Sequence, residues 1–208
     1  MNLDSNLPPS DADDHQMAAW LATAAGHRLL AVREEGLAGS ELKDAGDLAA
    51  HELLLSLLEE HRPADAVLSE EGKDDRARLE ADRVWIIDPL DGTREFSEVP
   101  RDDWAVHVAL WERGSLVAGA VAQPALGETF HTGAAPVVPP RRPGRPRIAV
   151  SRSRPPAFVQ ALATELDAEL VPMGSAGVKV MSVVRDVTDA YVHAGGQYEW
   201  DSAAPVAV

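Results

Sequence analysis

The run Asp88-Pro89-Leu90-Asp91-Gly92-Thr93 sets two carboxylates three residues apart, with a proline stiffening the backbone between them. In a tight turn both acids, and the Leu90 carbonyl between them, can face one point. Carboxylate and carbonyl oxygens are hard ligands, suited to magnesium rather than to zinc or copper. Gly92 and Thr93 open a short helical segment over 94–97, and the first amides of a helix have no internal partner, so they can receive a phosphate. Acids this close repel unless a cation lies between them or one takes a proton. The same spacing also suits a surface Asp-Gly turn with a capping aspartate, and the motif by itself does not separate the two.

Three further acids bear on that choice. Glu70 follows the short strand-like run Val67-Leu68-Ser69, just as Asp88 follows Arg83-Val84-Trp85-Ile86-Ile87. If the two runs are neighbouring parallel strands, their carboxyl ends meet, which is where such sheets hold ligands. Asp201, beside Trp200 at the start of a predicted helix, adds a carboxylate from far along the chain. Asp47 stands at the start of a Leu-rich helix, where a metal ligand and an N-cap are equally good readings.

The elements that must position these groups alternate in type. Apolar residues at Met17, Leu21, Ala25, Leu29 and Val32 predict an amphipathic helix over 11–35, with Asp11, Asp13 and Asp14 at its positive end. A glycine-rich break at 36–39 precedes a second helix over about 47–61, stopped by Pro63. Residues 104–111 and 115–121 read as a hairpin across Glu112-Arg113-Gly114, and 127–131 as a further short strand. The run Pro139-Pro140-Arg141-Arg142-Pro143-Gly144-Arg145-Pro146 fits neither helix nor sheet and reads as a solvated linker rather than a nucleic-acid tail. After it come a strand (147–150), a helix (155–167), a strand (169–171), a helix (175–185), a strand-like run (189–193) and the start of a helix after Asp201. The expected organisation is an N-terminal α+β metal-binding half over 1–135, a linker over 136–146 and a C-terminal α/β half over 147–208.

Composition narrows the function. The 208 residues are 45% hydrophobic and 25% charged, an ordinary globular profile. A formal charge of −15 argues against a nucleic-acid polymer or an anionic membrane as partner. A phosphorylated small molecule bound despite that charge calls for a local positive element, and a metal ion is the simplest. With no cysteine, disulfides, zinc thiolates and cysteine nucleophiles are excluded. Residues 1–14 lack a basic start and an apolar run, and no stretch approaches the roughly 20 apolar residues that span a bilayer. The expected compartment is the cytoplasm.

Leu68-Ser69-Glu70-Glu71, Trp85 to Thr93, and Trp200-Asp201-Ser202-Ala203-Ala204 resemble the signatures of the inositol monophosphatase superfamily. Arg94-Glu95-Phe96, Gly174-Ser175-Ala176-Gly177-Val178-Lys179 and Gly195-Gly196-Gln197-Tyr198-Glu199-Trp200-Asp201 resemble its bacterial 3′(2′),5′-bisphosphate nucleotidase branch. That resemblance implies a layered αβαβα sandwich of mixed α/β class and a magnesium-dependent phosphatase. Its substrate would be 3′-phosphoadenosine 5′-phosphate, a by-product of sulfate assimilation, cleaved to AMP and phosphate without a covalent intermediate. Glu70, Asp88 and the Leu90 carbonyl would hold one Mg2+, with Asp88, Asp91 and Asp201 holding a second; Asp47 matches a residue associated with a third, looser ion. Thr93, with Glu70, would orient the attacking water, and the Gly92 and Thr93 amides would receive the phosphate. Gly174, Ser175 and Lys179 would contact the rest of the substrate. Inhibition by lithium is expected, and a homodimer is open.

Two departures bear on these expectations. Family members continue for several tens of residues after the Trp-Asp motif, whereas this sequence gives seven after Asp201, so an incomplete C-terminal half is expected, with open strand edges. Where the inositol branch has an acidic sugar contact, seven residues before the metal aspartate, this chain has Ala194. A sugar phosphatase acting on inositol phosphate or fructose 1,6-bisphosphate is the alternative within the superfamily, and an inactive metal-binding remnant the alternative outside catalysis. An aspartyl nucleophile needs D-x-D after a buried strand, whereas here Asp91 comes three residues after Asp88; a D-x-D-x-D-G calcium loop fails on the same spacing, and G-x-S-x-G is absent. His51, His61, His107, His131 and His193 read as surface or half-buried, and Trp85 and Trp104 as core.

Overall fold

The computed structural model describes residues 12–140 and 142–208. Asp11 of the first predicted helix, residues 1–10 and Arg141 of the proline-arginine run lie outside the described residues.

Helix α1 (Asp14–Arg33) starts at Asp13, whose side chain accepts from the Gln16 amide at 2.8 Å while Gln16 returns a bond to the Asp13 amide. Met17, Leu21, Ala25, Leu29 and Val32 are all buried, as their spacing predicts. Helix α2 (Gly39–His61) begins eight residues earlier than expected. Leu42, Gly46, Ala50, Leu54 and Leu58 form one continuous buried stripe, which extends the helix back to the glycine break. Asp47 therefore sits inside the helix, and the N-cap reading does not hold.

Strands β1 (Ala66–Ser69), β2 (Arg83–Asp91), β3 (Ala105–Glu112), β4 (Ser115–Gln123) and β5 (Glu128–His131) form one sheet in that order. β1 and β2 are parallel, with Ser69 opposite Ile87, so Glu70 and Asp88 leave neighbouring strand ends together. The remaining pairs are antiparallel. Between β2 and the short helix α3 (Thr93–Ser97) the sequence suggests a turn beginning at Asp88; instead β2 runs on to Asp91. Pairing of Asp88 with His107 and of Asp91 with Ala105 leaves two residues, Pro89 and Leu90, facing one, Val106: a bulge. Proline has no N–H for the ladder, and a bulge absorbs it.

The second sheet has order β7-β6-β8, from β6 (Arg147–Ser151), β7 (Glu169–Met173) and β8 (Ala190–Tyr191), all parallel to β6. Of the strand-like run over 189–193, two residues pair. Helices α4 (Ala157–Glu165), α5 (Ala176–Val184) and α6 (Glu199–Ala207) complete the chain; α6 starts ahead of Trp200 rather than after Asp201.

Side chains alternate along β2. Trp85 and Ile87 pack on the α1–α2 side with Trp104, Val106 and Val108. Val84 and Ile86 face the other way, with Ala105, Ala109, Val178, Met181, Ala203 and Ala204. A third cluster packs Ile148 and Val150 against Val159 and Ala163 of α4. The layers thus run helices, five-stranded sheet, α5 with α6, three-stranded sheet, α4: an αβαβα sandwich. Asp88 and His107 extend the second face of the large sheet, so the acidic run points at α5 and α6.

Candidate active site

Asp88 is 1% exposed, at the point where β2 leaves its regular pairing. Its Oδ1 accepts the Leu90 amide at 3.1 Å. Burial raises its carboxyl well above the usual range, and the charges of Asp91 and Glu70 add to this. Glu70 is exposed at its tip, yet partial loss of water and the charge of Glu71 raise it too, against a hydrogen bond with Asp88 that lowers it. Asp201 is raised first by burial and then by Asp91, while its carboxylate accepts the Tyr198 amide at 2.7 Å.

Asp91 behaves oppositely. Burial would raise it, but His107, Ser175 and Gly177 outweigh burial and hold it at about 2. The Ser175 hydroxyl donates to Oδ2 at 2.5 Å, the Gly177 amide donates to it at 2.8 Å, and His107 Nε2 lies 3.2 Å away. Ser175 has φ 47° and ψ 135°, a left-handed conformation that costs a serine about 1–3 kcal/mol. The bond to Asp91 and the Val178 amide, which donates to the same hydroxyl at 3.0 Å as an N-cap, hold it there.

The sequence predicts a surface or half-buried His107, and the structure corrects this. The residue is 0% exposed, and its Nδ1 lies 3.1 Å from the Trp200 carbonyl and 4.0 Å from Asp88 Oδ2. It spans from Asp91, on the large sheet, to the residue before Asp201, on α6. Burial opposes its protonation, but Asp91 overcomes that and raises its pKa. The sequence does hold a signal: a polar ring inside the apolar run 104–111, whose strand is buried on both faces, must find a partner. Gly177 makes room for it, since a Cβ there would lie 2.1 Å from Nε2. Asp88, Asp91 and His107 are close enough to share one cation.

Around this centre, Gly92 takes φ 91° and its carbonyl accepts the Phe96 amide, so the chain turns into α3. The Thr93 hydroxyl lies 3.2 Å from the Leu90 carbonyl and 3.5 Å from Asp47 Oδ1. Asp47 reaches it because Gly46 lets α2 touch Phe96; a Cβ there would sit 2.6 Å from the ring. Burial first, then Glu71 and Glu70, raise Asp47 to about 7. Arg33 fixes α3 from behind, donating to the Phe96 carbonyl at 2.7 Å and to the Glu95 carbonyl at 3.2 Å.

Gly174 and Ser175 link β7 to α5, which carries Lys179, and of the three Ser175 touches Asp91. The Gly174 amide donates to Asp103 at 2.6 Å, and the buried Lys179 ammonium donates to the Ser175 carbonyl at 2.6 Å. Burial lowers the Lys179 pKa against the pull of Asp91 and other acids.

The donor set suits a hard divalent cation. Among the described residues, no arginine or lysine forms an ion pair with Asp47, Glu70, Asp88, Asp91 or Asp201. Elsewhere arginine takes that place: Arg83 alone serves Asp14, Asp65 and Glu112. Asp47, Glu70, Asp88 and Asp201, collected without such partners and with raised pKa values, fit a metal as their counter-charge.

A model of the inositol monophosphatase family matches residues 13–136. A 3′-phosphoadenosine 5′-phosphate phosphatase of Mycobacterium leprae is 53% identical over 213 aligned residues, covering 96% of this chain and 79% of that protein. One from Mycobacterium bovis is 53% identical over 199, covering 88% and 73%. Among solved structures, CysQ from Bacteroides thetaiotaomicron, a bacterial member of the inositol monophosphatase family, aligns with a TM-score of 0.73 at 27% identity, over 92% of this chain and 83% of that one.

Proposed function

We propose that this chain, which belongs to the inositol monophosphatase family, removes the 3′-phosphate of 3′-phosphoadenosine 5′-phosphate, giving AMP and inorganic phosphate. The observation that carries this reading is the gathering of Asp88, Asp91 and His107 at one buried point, in a chain 53% identical to phosphatases of that name. The family is metal-dependent, and the donors here favour Mg2+.

Glu70, Asp88 and the Leu90 carbonyl would hold one ion, Asp88, Asp91 and Asp201 a second, and Asp47 a looser third. When bound, such ions would supply positive charge against the phosphoryl oxygens and favour ionisation of the attacking water. The protein's own groups set the geometry. Thr93, its hydroxyl beside Leu90 and Asp47, orients the incoming water with Glu70. The amides that open α3 receive phosphoryl oxygens, and Gly174, Ser175 and Lys179 face the rest of the nucleotide. Ser175, Gly177 and His107 keep Asp91 ionised and fixed in direction. Water oxygen bonds to phosphorus, the bond to the 3′ oxygen breaks, and that oxygen leaves with a proton as the hydroxyl of AMP.

The partner is a small phosphorylated nucleotide. Among the described residues no helix is long and apolar enough to cross a membrane; the cytoplasm is the compartment we propose. Ala194, an exposed methyl in place of the inositol branch's acid, favours the nucleotide over an inositol ring. Comparing kcat/KM for 3′-phosphoadenosine 5′-phosphate, inositol 1-phosphate and fructose 1,6-bisphosphate tests the choice. The nucleotide is expected to lead, and a tenfold preference for either sugar ester would overturn the reading.

A further inference from the structure

Tyr198, at 62%, is the most exposed aromatic residue among the described residues that the core leaves uncovered. It is nevertheless held in place. Its ring lies on Trp200 with centroids 4.7 Å apart and planes 15° from parallel. Its amide donates to Asp201 Oδ2 at 2.7 Å, which ties the ring to a carboxylate of the site. A ring stacked on one face and fixed at its backbone has little freedom left to lose when something covers its other face.

The approach to that face is clear. Gly195 and Gly196 precede it with φ 84° and 77°, and a Cβ at either would meet nothing within 4 Å. Gln197, next in the chain, donates through Nε2 to the Tyr191 hydroxyl at 3.3 Å. A second phosphate is poorly suited to this place, because Asp201 stands beside it and Glu199 adjoins it. A neutral, planar heteroaromatic ring is well suited, since every nucleobase has a π-face and stacks on an aromatic side chain.

We propose that Tyr198, backed by Trp200, is the platform on which the nucleobase of the substrate stacks. This rests on the nucleotide reading above and adds a specificity-determining residue to it. The platform selects nucleotides over phosphate esters of similar charge that lack a base, and it acts through binding rather than through the chemical step.

The test compares 3′-phosphoadenosine 5′-phosphate with its abasic analogue, methyl riboside 3,5-bisphosphate, in the full chain with magnesium. Wild type is expected to prefer the nucleotide. In Tyr198→Ala that preference should fall at least tenfold in kcat/KM, about 1.4 kcal/mol, through KM rather than kcat. Tyr198→Phe and Tyr198→Trp should restore it, because they keep the ring. An alanine variant that keeps the wild-type preference would overturn the platform, as would equal loss on both substrates, which marks a structural role. A wild-type enzyme that cleaves the abasic ester but not the nucleotide would instead overturn the substrate reading itself.

Discussion

Nε2 of His107 stands 3.2 Å from Oδ2 of Asp91, and both side chains are buried between the large sheet and helices α5 and α6. The other ring nitrogen lies 3.1 Å from the carbonyl of Trp200. One imidazole thereby sets the direction of Asp91 and the position of the residue before Asp201. Two carboxylates 110 positions apart in the chain are registered through it.

Replacing His107 tests that role. His107→Leu leaves a buried carboxylate without its cation, a loss of about 3–5 kcal/mol of stability in the metal-free protein. Apparent magnesium affinity should fall about tenfold to a hundredfold, the range for a residue that orients a ligand. Denaturant unfolding in EDTA and a magnesium titration of phosphatase activity measure the two. Unchanged magnesium dependence in a folded variant would remove His107 from the site.

Gly177→Ala probes the same contact from the other side. Its Cβ would sit 2.1 Å from His107 Nε2, and both residues are buried, so the ring or α5 must move. A cost of about 1–3 kcal/mol is expected from overpacking, with a fall in magnesium-dependent turnover. A thermal melt and an activity assay suffice, and a wild-type melt would show that the ring has room to move.

Metal-free stability should depend on pH in a direction set by the raised carboxyls. Burial, with Glu71 and Glu70, lifts Asp47 to about 7, and Glu70, Asp88 and Asp201 are raised as well. A carboxyl whose folded pKa exceeds its unfolded value binds more protons when folded, so stability declines as pH rises from about 4 to about 7. Asp91 and Asp103 are depressed and oppose this trend only in acid, below their unfolded values. In EDTA the melting temperature should therefore drop between pH 5.5 and pH 8. Magnesium should remove the drop by taking the place of those protons. A melting temperature that rises across this window in EDTA would contradict the electrostatics.

Much of this was legible beforehand. The alternation of apolar residues located α1, and the short runs ending at Ser69 and Ile87 anticipated a parallel pair that delivers Glu70 and Asp88 side by side. What sequence did not yield depends on contacts between distant segments. Nothing near His107 announces Asp91, because their meeting requires the β2–β3 register. The engagement of Ser175 with Asp91 needs the second sheet docked against the first. For Asp47 the N-cap and metal-ligand readings are equally good in sequence because the stretch upstream is polar and glycine-flanked; tertiary packing of Leu42 and Gly46 extends the helix through it and removes the N-cap. The bulge at Pro89-Leu90 was hidden for a similar reason: a proline in a strand reads as a stop until the neighbouring strand shows the ladder resuming at Asp91.

Asp88→Asn addresses the metal-binding role directly. The change removes one negative charge from a buried cluster while preserving shape, so the melting temperature in EDTA should not fall. Magnesium-dependent phosphate release should be lost. Full activity in this variant would sink the assignment of Asp88 as the shared ligand.

The most direct measurement is phosphate release from 3′-phosphoadenosine 5′-phosphate by the purified 208-residue chain, with magnesium and with EDTA. Magnesium-dependent release, with AMP as the second product, is the expected result. A folded protein that binds magnesium and releases no phosphate would contradict the catalytic reading and mark the chain as a metal-binding remnant.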